Sequence, residues 1–121
     1  MTDLQKDFQD KFELLIPLSI NDKILFLESL LFSFTLTGRG IWSNESESDT
    51  DKLEAFKWMN ELNHRIWNIR FELSEDVDTD SMIRLYENLE FYGDKSILLR
   101  SHLMPTFISA FNLFQNFQQL K

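Results

Sequence analysis

Nothing in the sequence limits the fold more than the apolar residues between positions 55 and 73. They recur at spacings of 4, 3, 4, 3 and 4, the period of one helix face, at Ala55, Met59, Leu62, Ile66, Ile69 and Leu73. The pattern predicts an amphipathic helix of about six turns. This helix begins at Thr50 or Asp51, and it is the strongest periodic signal in the chain.

Two helices are predicted before this segment. Residues 3 to 16 carry apolar side chains with a helical period, Thr2 is suited to cap the first turn, and Pro17 ends the helix. The second helix begins near Asp22. Its apolar residues lie on nearly all sides, which is typical of a helix at the centre of a domain.

Two or three helices are predicted after the segment. One helix runs from about residue 80 to residue 92 and ends at Gly93. A further helix follows, and Pro105 either kinks it or splits it in two. With 121 residues and only 3 glycines and 2 prolines, a turn-rich all-β protein is disfavoured. We therefore predict one all-α domain over residues 1–121, a bundle of five or six helices.

Charge and cysteine content exclude several classes of function. The chain has 20 acidic and 12 basic residues, a net charge of -8, and such a domain repels phosphate backbones and anionic membranes. It has no cysteine, which excludes disulfides, zinc–thiolate sites and cysteine nucleophiles. Residues 2–13 mix charged and apolar side chains, so we expect no signal peptide, and the apolar stretch Ile24–Leu36 is predicted to be too short and too polar to span a bilayer. We therefore expect a cytoplasmic protein that binds neither nucleic acid nor membrane.

Two acidic segments are the first candidate binding surface. Residues 43–51 and 74–80 are rich in carboxylates and are predicted to form solvated loops. The carboxylates that we expect to contact a partner are Glu45, Glu47, Asp49, Asp51, Glu75, Asp76, Asp78 and Asp80.

The second acidic segment also has the spacing of a calcium loop. Asp76, Asp78, Asp80 and Glu87 stand at positions 1, 3, 5 and 12 of an EF-hand-like loop. Position 6, where the sharp turn needs glycine, is Ser81. We therefore favour an acidic loop that stabilises a helix N-terminus, and we expect neither a metal nor another cofactor.

Polar residues of the long helix are the second candidate. Beside the apolar face of this helix runs a second line of residues, spaced by 4, 3 and 4 positions. It consists of Asn60, His64, Trp67 and Phe71. Glu61 lies four residues before Arg65, the spacing of an ion pair along a helix. His64 with Glu61 has the chemistry of a general acid–base couple. No nucleophile or metal ligand stands at a supporting spacing, so we favour a structural hydrogen-bonded network and expect no catalytic residue.

Two motifs in the middle third of the chain resemble a bacterial family of small all-helical proteins without assigned chemistry. That family has a Leu-Thr-x-x-Gly/Ala-Arg motif, matched here by FTLTGR with Phe34 in place of leucine, and later an Asn-Glu-x-x-His-Arg motif, matched by NELNHR. The matching positions are Thr35, Arg39, Asn60, Glu61, His64 and Arg65. The resemblance implies that the second helix runs on to Trp42, and that Arg39 meets Glu61 and His64 in a polar cluster.

Aromatic residues are the third candidate. Phe107, Phe111 and Phe114 recur on one helix face, which we interpret as core, with an exposed patch for a second copy as the alternative. Trp58 stands beside Lys57 and off the apolar stripe. We include Trp58 among the partner-binding residues because aromatic side chains commonly anchor interfaces.

Together these features favour an inhibitor over an enzyme. A small acidic protein suits the basic surface with which a toxin domain holds nucleic acid, and chains of this type occur among the immunity proteins of contact-dependent growth-inhibition systems. We therefore expect an immunity protein that neutralises a basic toxin domain, with a nuclease as the favoured case, by covering its charged surface. The alternative is a small helical enzyme or ligand-binding protein that uses Arg39, Glu61 and His64. A homodimer through the Phe-rich C-terminal helix is a further expectation.

Overall fold

The computed structural model describes residues 1–120 and contains five helices and no strand in that range. Helices account for 82% of the chain. Their bounds are α1 (Asp3–Leu15), α2 (Ile20–Ser43), α3 (Asp49–Ser74), α4 (Ser81–Gly93) and α5 (Ile97–Gln119). This confirms the predicted all-α bundle. The number is five because α5 continues through Pro105.

Hydroxyl caps fix where four of the helices begin. The side chains of Thr2, Ser19, Ser48 and Ser96 each accept a hydrogen bond from the backbone N–H three residues on, at 3.1 to 3.2 Å. Such a cap satisfies an amide that has no partner within its helix. Because Ser48 is the cap of α3, that helix begins at Asp49, slightly earlier than the predicted Thr50 or Asp51.

The centre of the bundle is the contact between α2 and α5. The Phe26 ring lies against Phe107 and Phe114, with ring centroids 5.3 and 5.8 Å apart. The hydroxyl oxygens of Thr37 and Thr106 are 2.7 Å apart and form a hydrogen bond between the two helices. Since α5 also contacts α1, α3 and α4, the α2–α5 pair holds the other three helices in place.

Helix α2 is also the most hydrophobic element of the chain. By length and composition it is the one helix of residues 1–120 that could cross a membrane, which differs from our expectation for the shorter stretch Ile24–Leu36. The core helix of a soluble protein has the same length and composition. Packing against both α3 and α5 accounts for the apolar character of α2.

The phenylalanines of α5 belong to the core. Phe107, Phe111 and Phe114 are at most 4% exposed, which agrees with our core interpretation, whereas Phe117 is 41% exposed. Gly93 ends α4, as expected, without adopting a positive φ. A Cβ atom at Gly93 would lie 3.0 Å from Leu103 Cδ1, a tight contact that a larger residue could make only if the Leu103 side chain moved by a few tenths of an ångström.

An ion pair ties the start of α2 to the loop between α3 and α4. Lys23 is buried, and its Nζ donates to Asp78 at 2.5 Å. Asp78 also accepts a hydrogen bond from the buried hydroxyl of Ser81 at 2.8 Å. The bond from Lys23 lowers the pKa of the Asp78 carboxyl. One carboxylate of the acidic segment is therefore engaged in an intramolecular ion pair.

The same loop holds two aspartates in the left-handed region. Asp76 has φ 60° and Asp80 has φ 53°. At Asp76 the N–H groups of residues 76 and 77 donate to the carbonyls of Leu73 and Glu72, the pattern of a Schellman motif. Glycine is the usual residue at that position because a Cβ atom disfavours it.

We expect Asp78→Asn to destabilise the protein by about 2 kcal/mol, between the values of exposed and buried ion pairs, because it leaves the Lys23 ammonium buried without a countercharge. Since the folded-state pKa of Asp78 is depressed, the stability from this pair is present above the unfolded pKa and is lost as pH falls through the folded value. Urea unfolding at pH 7 and pH 3 measures both effects. The control is Asp7→Asn, which removes the more exposed pair with Lys11 and should cost under about 1 kcal/mol. Equal costs for the two variants would contradict the assignment.

We expect Asp76→Gly to raise the free energy of unfolding by about 0.5–1 kcal/mol, because glycine adopts the left-handed conformation without a Cβ penalty. Asp76→Ala removes the same carboxylate but keeps the Cβ atom, and it should not stabilise the protein. Thermal denaturation of the two variants separates the backbone effect from the loss of charge.

Candidate functional site between helices α2 and α3

The antiparallel pair α2 and α3 forms the candidate site. Two contacts set its register: Arg70 pairs with Glu28 at 2.6 Å, and the rings of Phe56 and Trp42 lie 6.0 Å apart. Both contacts give the same register, which places Phe32 level with Ile66, the neighbour of Trp67. The pair is closed at one end by residues 44–48 and leads into the loop 75–80 at the other end.

A groove of about 590 Å³ opens between the two helices near the 44–48 loop. Its lining is mostly apolar, and Trp42 and Phe56 form one end of it. The lining residues are Phe34, Thr35, Gly38, Arg39, Trp42, Leu53, Phe56, Met59, Asn60 and Asn63.

Large apolar side chains stand in solvent along the outside of this helix pair. Five of them, between 52% and 66% exposed, define what we call the α2–α3 face: Phe32, Trp42, Leu53, Trp67 and Phe71. Single exposed apolar residues are common, but a concentration of tryptophan and phenylalanine on one helix pair marks an interaction surface. Trp67 and Phe71 of this face belong to the second line of α3 residues that the sequence analysis identified. Phe32 and Leu53 had no comparable sequence signal, because exposure depends on how α2 and α3 are rotated.

Three motif residues meet in the groove. Thr35, Arg39 and Asn60 line it, and Thr35 uses its hydroxyl to donate to the Leu31 carbonyl of its own helix. Across residues 1–120, no hydrogen bond or ion pair engages the Arg39 guanidinium. Asn63 has a buried side-chain oxygen without a hydrogen-bond partner in this part of the chain. The groove therefore offers one unpaired cation and one unsatisfied amide in an apolar setting.

The other three motif residues lie elsewhere on α3. Glu61 and His64 are exposed and do not line the groove. Arg65 faces α4, where its Nε donates to the Tyr92 hydroxyl at 3.4 Å, and this bond raises the pKa of Arg65. Our expectation that Arg39 meets Glu61 and His64 in one cluster is not met, because only Arg39 lines the groove and no hydrogen bond or ion pair within residues 1–120 joins it to either residue. The implied extension of α2 is present, since α2 runs to Ser43.

The acidic segments are placed at opposite ends of α3. The first comprises the 44–48 loop and the first turn of α3, and the second is the 75–80 loop. A helix of 26 residues separates them, which is about 39 Å. The carboxylates of both segments are exposed or partly exposed, apart from the engagement of Asp78 with Lys23: Glu45, Glu47, Asp49, Asp51, Glu75, Asp76 and Asp80.

A buried lysine holds the first acidic segment against the groove. Lys52 is 7% exposed, and its Nζ donates to the backbone carbonyl of Trp42 at 3.1 Å. A cation at this point complements the negative C-terminal end of α2. The bond connects the end of α2 to the start of α3 across the loop.

The structure also shows where the residues of the calcium-like spacing lie. Asp76, Asp78 and Asp80 do not assemble a metal site, and within residues 1–120 there is no group of three acidic or histidine side chains arranged to hold an ion. The Asp78 carboxylate instead accepts a hydrogen bond from the Lys23 ammonium group.

Trp58, the remaining predicted partner-binding residue, is on the α4 side of α3. It is half-buried, and its ring lies 6.2 Å from Tyr92. It therefore does not belong to the α2–α3 face.

Comparison with protein-family models, with curated proteins and with solved structures gives no significant match. The fold and the site define the chain as an all-helical bundle with an open apolar groove and acidic ends.

The glycines of α2 have no structural role that demands them. Gly38 and Gly40 lie in the helix without positive φ. A Cβ atom at Gly38 would lie 3.5 Å from Phe56 and 3.6 Å from Met59, which are ordinary contacts, and at Gly40 it would meet nothing within 4 Å. The main effect of Gly38 is to keep the floor of the groove free of a side chain.

We expect Gly38→Ala and Gly40→Ala each to stabilise the protein by about 0.5–1 kcal/mol, because glycine in a helix interior is less favourable than alanine by this amount. Urea unfolding of the single and double variants measures the gain. A loss of stability at Gly38 would show that the floor of the groove is packed more tightly than these distances imply.

Proposed function

We propose that this protein binds and inhibits a basic partner protein, in the manner of an immunity protein that covers a toxin domain, and that it does so with the α2–α3 face. The observation that carries the proposal is the exposure of Trp42, Trp67 and Phe71 on one helix pair whose two ends are acidic. Stable interfaces combine an aromatic centre with a polar rim, and tryptophan is among the residues that contribute most to binding.

The dimensions of the face support a protein partner. The length of α3 and the width of two helices give an area of about 39 by 20 Å, close to the roughly 800 Å² that each partner contributes to a standard interface. The groove beside Arg39 is open at the surface and is one part of this larger face.

Charge supports a basic partner. The chain has a net charge of -8, and exposed carboxylates stand at both ends of the face. A partner with cationic groups about 39 Å apart would meet both acidic segments while its apolar surface covers the centre. Complementary charge of this kind raises the association rate and disfavours acidic competitors.

At two positions of this face and its acidic ends, the residue present is less favourable for stability than another residue would be, and this supports a role in binding. Asp76 stands where glycine fits the backbone better, and Gly38 stands where alanine fits the helix better. At Asp76 the cost keeps a carboxylate in the acidic loop, and at Gly38 it keeps the groove open. Departures of this type concentrate at functional positions.

The enzyme alternative lacks a comparable observation. It relied on Arg39, Glu61 and His64 acting together, and only Arg39 lines the groove. We therefore base the proposal on binding.

The direct test begins with co-purification, in which we expect this chain to retain the basic C-terminal domain of a large secreted protein. That domain is then purified and titrated with this chain. We expect Trp67→Ala and Trp42→Ala to weaken binding by at least about tenfold each, since truncation of a central aromatic residue typically costs more than 1 kcal/mol. Phe117→Ala is the matched control, because Phe117 is an exposed phenylalanine of α5, away from the face. Equal losses in the variants and the control would rule out the α2–α3 face.

We expect the double reversals Glu45→Lys/Glu47→Lys and Glu75→Lys/Asp80→Lys each to slow association, and their combination to slow it by orders of magnitude at low salt. Stopped-flow measurements across salt concentrations provide the readout. The control reverses two exposed carboxylates of α1, Asp10 and Glu13. Association rates that do not depend on salt would contradict the electrostatic part of the proposal.

A further inference from the structure

A group of cations on the opposite side of α3 is not neutralised by the many carboxylates of this chain. Five cations of residues 1–120 form ion pairs with carboxylates: Lys11, Lys23, Arg70, Arg84 and Arg100. In the same range Lys57, Arg65 and Lys95 have no carboxylate within ion-pair distance. These three cations therefore keep a positive charge that no ion pair offsets, in a protein with 20 acidic residues.

These three cations gather around Trp58. The Nζ atoms of Lys57 and Lys95 lie 4.5 and 5.6 Å from the centre of the Trp58 ring system. Arg65 donates to Tyr92, whose ring lies 6.2 Å from that of Trp58. We call these five residues, Lys57, Trp58, Arg65, Tyr92 and Lys95, the Trp58 cluster.

The aromatic rings hold the ammonium groups in position. Lys95 also lies 4.5 Å from the centre of the Phe91 ring, so it contacts two aromatic side chains. Cation–π contacts of this kind contribute about 0.5–1 kcal/mol at exposed sites. They orient the lysines without neutralising them, which leaves both charges available to an incoming anion.

The spacing of the charges suits an acidic peptide. The distances to the Trp58 ring place the two lysine Nζ atoms within about 10 Å of each other. Alternate side chains of an extended strand are about 7 Å apart, so two carboxylates on such a strand reach both lysines. A nucleotide fits less well, because the ammonium groups lie over the indole on which a base would stack.

We propose that the Trp58 cluster is a docking site for an acidic segment of a partner protein, bound through carboxylates that meet Lys57, Lys95 and Arg65. The site is separate from the α2–α3 face, and its existence does not depend on the proposed inhibitory function. Glu61 is the one acidic residue of α3 whose charge acts on Arg65, and it opposes an incoming carboxylate.

The test is a titration with a hexaglutamate peptide at low ionic strength, followed by tryptophan fluorescence. The chain has 3 tryptophans. The substitutions Trp42→Phe and Trp67→Phe, both at exposed positions, leave Trp58 as the single tryptophan whose emission is followed. We expect a saturable change in emission that weakens as salt is added. Lys57→Gln and Lys95→Gln should each weaken binding by about two- to fivefold, the range expected for exposed ion pairs.

Two further variants test whether the effect on peptide binding is specific to the Trp58 cluster. Lys6→Gln removes an exposed lysine of α1 that has no ion pair within residues 1–120, and binding should be unchanged. Glu61→Gln should strengthen peptide binding, because it removes a like charge. Circular dichroism checks that each variant is folded. No saturable change, an equal loss with Lys6→Gln, or tighter binding of ATP than of hexaglutamate would overturn the proposal.

Discussion

The packing of α2 against α5 is the constraint on which the other parts of this bundle depend. The Phe26 ring between Phe107 and Phe114, together with the hydrogen bond from Thr37 to Thr106, fixes one side of α2 toward the core. A second side of α2 packs on α3. No helix of residues 1–120 packs closely on the remaining side, and apolar residues there become part of the exposed face. The surface proposed for binding therefore follows from how the core is built.

Local sequence signals were sufficient for most of the fold. The cap at Thr2, the stop at Pro17 and the apolar period of α3 depend on residues near each other in the chain, and the structure agrees with them. Pro105 was the ambiguous signal. The structure keeps α5 continuous there: Pro105 is itself exposed, and the hydroxyl of Thr106 donates to the His102 carbonyl within the turn. The sequence could not decide between a kink and a split, because that outcome depends on how α5 packs against the other helices.

The candidate site was only partly accessible to sequence analysis. The acidic segments are exposed at helix ends, and Thr35, Arg39 and Asn60 do come together. To predict whether Arg39 contacts Glu61 and His64, one must know how α3 is oriented about its own axis. Residue spacings within one helix do not determine that orientation. The same orientation decides that Trp67 faces solvent and that Trp58 faces α4. Contacts between helices were therefore the part that local patterns did not supply.

The bond from Lys52 to the Trp42 carbonyl has a consequence for the thermodynamics of recognition. It closes the short connection between α2 and α3 with a buried cation, so the entrance of the groove has its shape before any ligand arrives. A preorganised surface avoids most of the entropy loss that accompanies ordering on association. Recognition at this end of the molecule would then resemble rigid-body docking, with a heat-capacity change set by the apolar area covered and without a contribution from coupled folding.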